Sequence, residues 1–140
     1  QEEISKFKRY KTPFSILIID VDFFKRINDL YGHDKGDLII KEISSLIQKN
    51  IRNTDICARW GGEEFLILTP NSDLKAALTL ANSLREFIEK NDFKMEKDGV
   101  TISIGVSTYN ENITQEKLIK LADNALYKAK GNGRNRVEIA

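Results

Sequence analysis

Apolar positions along the chain switch between two spacings, and the switches predict its elements. Phe14 to Ile19 is almost wholly apolar and too short for a helix, which predicts a strand covered on both faces. A helix opens near Phe24. After a turn over Gly32 to Asp37, Ile40, Ile43, Leu46, Ile47 and Ile51 recur at helical spacing and mark a second helix by its core face. Ile56-Cys57-Ala58 and Phe65-Leu66-Ile67-Leu68 read as two strands of a hairpin. Leu74, Ala77, Leu78, Ala81, Leu84 and Ile88 then predict a helix capped by Ser72 or Asp73. A charged stretch from Lys90 to Asp98 follows. Asp98-Gly99 turns into Val100, Ile102, Ile104 and Val106, whose alternation predicts a half-buried strand. Thr114 caps a last helix, buried through Leu118, Leu121, Ala122, Ala125, Leu126 and Ala129 and stopped at Gly131, before a short strand from Val137 to Ile139. Residues 1–12 are charged and weakly amphipathic, with Ile4 and Phe7 on one side, and read as the tail of a helix. The order βααββαβαβ, with a hairpin in the middle, predicts an α+β fold close to the ferredoxin-like βαββαβ plan, a sheet layered with helices.

At 140 residues and 16.0 kDa the chain fits one domain, able to bury roughly two-thirds of its unfolded surface. The single cysteine, Cys57, has no partner for an internal bridge and is expected in the core. No apolar stretch approaches the roughly 20 residues of a membrane helix, and Gln1-Glu2-Glu3 does not resemble a signal peptide. A cytoplasmic domain is expected, with any membrane anchor of a longer protein placed before it. The 22 basic and 21 acidic residues nearly cancel, which argues against DNA binding or a general membrane surface and leaves function to local clusters.

The densest cluster is Arg59-Trp60-Gly61-Gly62-Glu63-Glu64-Phe65. Two glycines between strands fit a tight turn, where positive φ is free and an absent Cβ lets a ligand approach the backbone. Asp20 and Asp22 leave the end of the first strand and, if it neighbours the hairpin, meet Glu63 and Glu64 across the sheet edge. Carboxylates ~4 Å apart repel by about 4 kcal/mol per pair at an effective dielectric near 20, so four of them call for raised pKa values or a divalent cation. Magnesium suits a few carboxylates completed by substrate phosphate. The alternative is four acids fanned into solvent. Phe23-Phe24-Lys25 opens a helix at the same strand end, where free N–H groups and the positive helix end favour an anion. The turn from Lys130 to Asn135 could add two cations; by itself it also reads as a plain helix stop.

Four blocks in this order resemble the GGDEF family of diguanylate cyclases, in its GGEEF variant, over nearly the whole chain. They are Asp20-Val21-Asp22-Phe23-Phe24-Lys25 with Asn28-Asp29, Gly32-His33-Asp34-Lys35-Gly36-Asp37, the hairpin run from Arg59 to Phe65, and Ile102-Ser103-Ile104-Gly105-Val106 with the Lys130 to Asn135 turn. The resemblance implies a mainly antiparallel palm, as in nucleotidyl cyclases, and condensation of two GTP molecules into cyclic di-GMP where two domains meet as a homodimer. It also implies Mg2+, or Mn2+, held by Asp20, the Val21 carbonyl and Glu63, with Glu64 as a further ligand or a base for the ribose 3′-hydroxyl. Phe23, Phe24, Lys25, Lys130 and Arg134 resemble a triphosphate cradle. Asn28 and Asp37 resemble guanine readers. Arg52-Asn53-Thr54-Asp55 resembles the family's product-inhibition site, with Arg52 and Asp55 as its cyclic di-GMP contacts; elsewhere such a pair is a surface ion pair. Relatives recruit a further arginine from the helix after the hairpin, which here offers only Arg85. His33, in a Gly-His turn, is expected to be structural.

The family's usual Asp-x-Leu-Thr-x-Leu-x-Asn-Arg opening is missing before Gln1, which implies a piece of a longer protein with an upstream sensor or regulatory domain. Trp60 stands where Tyr or Phe is commoner. The rival readings are a non-catalytic GTP or cyclic di-GMP receptor and a purine cyclase on the same palm. Degenerate relatives usually lose the hairpin acids, and Glu63 and Glu64 are both present.

Overall fold

The computed structural model describes residues 13–95, 97 and 99–140, so the expected N-terminal helix and Asp98 lie outside the described residues. Its elements follow the predicted order: β1 (Phe14–Val21), α1 (Phe24–Tyr31), α2 (His33–Asn50), β2 (Ile56–Arg59), β3 (Glu64–Pro70), α3 (Leu74–Lys90), β4 (Ile102–Thr108), α4 (Gln115–Gly131) and β5 (Val137–Ile139). They form a five-stranded sheet in the order β2-β3-β1-β4-β5. β1 lies at its centre, antiparallel to β3 and β4, and only β5 runs parallel to its neighbour.

The pleat sorts β1 into two cores. Leu17, Ile19 and Val21 face one way and pack with Ile39, Ile43 and Ile47 of α2 and Ala77, Ala81, Leu84 and Ile88 of α3. Phe14, Ile16 and Ile18 face the other way, against Leu118, Ala122 and Leu126 of α4. Helices therefore cover both faces, and all eight residues of β1 are buried, Ser15 and Asp20 included, as its almost wholly apolar run predicts. Asp73 and Thr114 cap α3 and α4, their side chains accepting from Ala76 N and Lys117 N.

Three local expectations are corrected. The segment from Gly32 to Asp37 is not a turn: only Gly32, at φ 89°, breaks the chain, and α2 begins at His33. β4 is buried on both faces, because its small residues lie against α4; a Cβ on Gly105 would stand 2.1 Å from Ala122 O and 2.4 Å from Leu126 N. Alternation there records how close the helix comes. Third, neither Gly61 nor Gly62 has positive φ. The hairpin loop is closed by Trp60 N donating to Glu64 O at 2.8 Å, while the Arg59 side chain donates to Gly61 O and Gly62 O. Cys57 is half-buried, and burial pushes its thiol up to about 11.

Candidate functional site

One end of the sheet gathers the chemistry. β1 leaves it at Asp20 and Val21, β3 enters it at Glu64, directly paired with Asp20, and the turn after α4 closes over it. Asp20 is buried. Its Oδ2 accepts from Lys130 Nζ of α4, while its Oδ1 has no hydrogen-bond partner. Val21 N donates to Glu63 O at 3.2 Å, which ties the hairpin rim to the end of β1. Glu64 falls on the α4 side of the sheet, beside Asp123, Tyr127 and Lys130, around a cavity of about 100 Å³. Desolvation first, then the charges of Asp123 and Glu63, push its carboxyl above the ordinary value. Desolvation, then the Arg134 charge, push the Lys130 ammonium below its own.

The expected four-acid cluster does not form, because Asp22 turns elsewhere. Its Oδ1 accepts from Ser103 Oγ at 2.6 Å, and its Oδ2 from Thr101 Oγ1 at 2.7 Å and Asn135 N at 3.0 Å. Among the described residues no three His, Cys, Asp or Glu side chains are grouped to hold a metal by themselves. A cation here would draw part of its shell from backbone oxygen and from a ligand.

Beside the acids lies an anion-suited helix start. Phe23 adopts φ 56°, ahead of the first residue of α1, and leaves the helix N-terminus without a side-chain cap. Its ring is exposed and carries the Arg134 guanidinium 4.5 Å above it. Phe24 packs on the core below, and Lys25 is exposed. The hairpin glycines face open space: a Cβ would meet nothing within 4 Å at Gly62 and only ordinary contact at 3.7 Å at Gly61. Neither backbone nor packing demands glycine there.

Asn28 is on α1 and turns toward Gly36 of α2, its Oδ1 buried with no partner. Gly36 makes the room, since a Cβ there would stand 1.8 Å from that oxygen. Asp37 follows, exposed just past the first turn of α2, and His33, also exposed, is the first residue of that helix. Asp20 Oδ1 and Asn28 Oδ1 are the buried side-chain polar atoms without partners among the described residues.

Arg52 and Asp55 sit at the far end of the sheet, where β2 begins and β3 ends. They are bonded to each other through Nη2 and Oδ1 at 2.9 Å, and Arg52 also donates to Pro70 O and Ser72 Oγ. A groove of about 360 Å³ runs beside them to Leu80, Ser83 and Phe87 of α3. Arg85 does not line it; its guanidinium bonds Glu89 and Asn135 instead. Sequence reasoning gave no role to Asp123, Tyr127 or Asn135. The first two share the i, i+4, i+7 face of α4 with Lys130, a spacing that could have found them.

Residues 1–136 match the family described as diguanylate cyclase, GGDEF domain. The chain belongs to this family. It is 45% identical over 133 residues to diguanylate cyclase A of Treponema denticola, covering 93% of this chain and 36% of that protein. The active GGEEF domain of a Vibrio cholerae diguanylate cyclase superposes with a TM-score of 0.93 at 36% identity, covering 99% of this chain and 90% of that one. The coiled coil and GGDEF domain of DgcB from Caulobacter crescentus, in complex with c-di-GMP, gives 0.93 at 26% identity, covering 99% and 75%. The chain thus spans about a third of the length of the curated relatives it matches. No helix among the described residues is long and apolar enough to cross a membrane.

Proposed function

We propose that this chain is the catalytic domain of a diguanylate cyclase, condensing two GTP into cyclic di-GMP with release of two pyrophosphates where two copies meet. The observation that carries the reading is the pair of orphaned buried oxygens. Unpartnered buried acceptors are rare and costly, and these two fall on the residue expected to hold a cation and on the residue expected to read guanine. Each is completed by a ligand of that chemistry.

The fit to a divalent cation rests on Asp20: one oxygen is orphaned, and the other already takes the Lys130 ammonium, so the position attracts positive charge. Asp20, the Val21 carbonyl, Glu63 and Glu64 would hold it, with Mg2+ preferred and Mn2+ the alternative. Bound there, such a cation would supply the positive charge that neutralises phosphate and polarises the α-phosphate. Phe23 and Phe24 offer backbone N–H groups to the triphosphate, while Lys25, Lys130 and Arg134 supply positive charge that strengthens as charge moves onto pyrophosphate. The bare rim of Gly61 and Gly62 lets the nucleotide approach the backbone. Asn28 and Asp37 pair with the guanine edge, the carboxylate accepting from N1–H and N2–H. Glu64, its carboxyl pushed up by burial and by Asp123, is suited to take the proton of the attacking 3′-hydroxyl. One domain binds one GTP, so a homodimer brings the attacking oxygen to the other's α-phosphate.

Arg52 and Asp55, beside their groove, are read as a cyclic di-GMP site, supported by family spacing and by the c-di-GMP complex of DgcB. With Arg85 engaged elsewhere, product inhibition should be weak. The chain is read as one domain following an upstream sensor.

The test is incubation of the concentrated protein with GTP and Mg2+, with nucleotides resolved by chromatography and Glu63→Ala as control. Cyclic di-GMP from the parent and none from the variant is the expected result. GTP left intact after dimers are enforced and an upstream segment is supplied would overturn catalysis in favour of a receptor.

A further inference from the structure

The turn after α4 holds a strained backbone, and the bonds that hold it involve none of the residues assigned above to the cation or the base. Gly133, Arg134 and Asn135 have φ of 120°, 63° and 46°. Asparagine tolerates this region, but an arginine there is strained and persists only where its surroundings over-determine it. Those surroundings are specific. Arg134 N donates to Ala129 O, and Asn135 N to the buried carboxylate of Asp22. The Asn135 side chain is used at both ends: its Nδ2 donates to Glu89 Oε2 at 2.6 Å, and its Oδ1 accepts from Arg85 Nη1 at 3.0 Å. Arg85 and Glu89 are themselves bonded at 3.1 Å, one turn apart on α3. That Asn135 bond, ahead of Arg85, holds the Glu89 carboxyl below its ordinary value, consistent with an engaged carboxylate. The outcome is the placement of one group, the Arg134 guanidinium over the Phe23 ring at the start of α1.

We propose that Asn135 is a positioning residue for triphosphate binding. Latched between Asp22 at the end of β1 and the Arg85–Glu89 pair on α3, it holds the turn so that Arg134 reaches the helix start already ordered. This rests on the cyclase reading above. It gives Asp22 a role other than metal ligation and explains why Arg85 is withdrawn from the distal groove. A preorganised cation binds more tightly than a mobile one because less side-chain freedom is lost on binding.

Asn135→Gly isolates the latch, since glycine accepts the positive φ and keeps the backbone N–H for Asp22. Calorimetry with a non-hydrolysable GTP analogue should show about tenfold weaker binding, the scale of a lost charge-assisted hydrogen bond, with GMP bound within about twofold of the parent. Arg85→Ala should reproduce part of the loss. In arginine side-chain NMR spectra the Arg134 signal, shifted by the Phe23 ring in the parent, should move to an ordinary position in the variant. Unchanged affinity for the analogue overturns the proposal, as does equal weakening of analogue and GMP with a collapsed melting temperature, which marks a purely structural residue. A parent that binds neither nucleotide counts against the cyclase reading instead. The Arg134 signal then decides alone: retained in the variant, it refutes the latch.

Discussion

Glu64 costs the fold stability where it is charged. Its carboxyl is held above the ordinary value by desolvation and by Asp123 and Glu63, so the folded chain favours the neutral form. The penalty is absent below the unfolded value and grows as pH rises through the raised folded one. In metal-free buffer Glu64→Gln should therefore raise the melting temperature at about pH 7 and much less at about pH 4; assayed separately with GTP and Mg2+, the same variant should lack cyclase activity. Equal shifts at both pH values would mean that the carboxylate relaxes into solvent. Asp20, Glu63 and Glu64 could be singled out from sequence because strand ends and a hairpin rim fix where such acids emerge. The fate of Asp22 could not. Its partners Thr101, Ser103 and Asn135 lie about 80 to 113 positions away in the chain, and only the folded sheet brings them to it.

Glycines at the element scale divide by what surrounds them. Gly105 of β4 lies against the backbone of α4, where nothing flexible can yield, so Gly105→Ala should force the helix off the sheet and lower unfolding free energy by at least about 2 kcal/mol in urea titration. Gly62→Ala enters open space and should leave the same titration within about 0.5 kcal/mol of the parent, while depressing cyclase activity by obstructing the nucleotide. A strongly destabilised Gly62→Ala would assign that glycine to the fold. The periodic patterns delivered the order and type of every described element. They misread β4 as half-exposed because small residues packed on a close helix and polar residues facing water produce the same alternation.

Across the whole molecule, β3 separates the catalytic end from the Arg52–Asp55 end by its seven residues, roughly 20 Å. Arg52 ties three segments together through Asp55, Pro70 O and Ser72 Oγ, and the Asp55 side chain is almost fully buried. Arg52→Ala leaves Asp55 Oδ1 without its guanidinium partner, while Oδ2 keeps the backbone N–H of residue 52, and should cost about 1–3 kcal/mol in denaturant unfolding, before any effect on product binding. An unfolding curve matching the parent's would show that the pair serves the groove alone. Loss of inhibition in this variant thus needs a stability control.

By itself the sequence determined the βααββαβαβ order, the α+β class, the family and the residue types at each corner of the site, because these depend on local periodicity, turn chemistry and motif spacing. The tertiary structure decided which acids share a space. It gave Asp20 the Lys130 ammonium, turned Asp22 toward β4 and the Asn135 turn, placed Asp123 beside Glu64 and drew Arg85 away from the groove. Side-chain direction follows from which face of the sheet each helix covers, and that is set by packing between segments far apart in the chain.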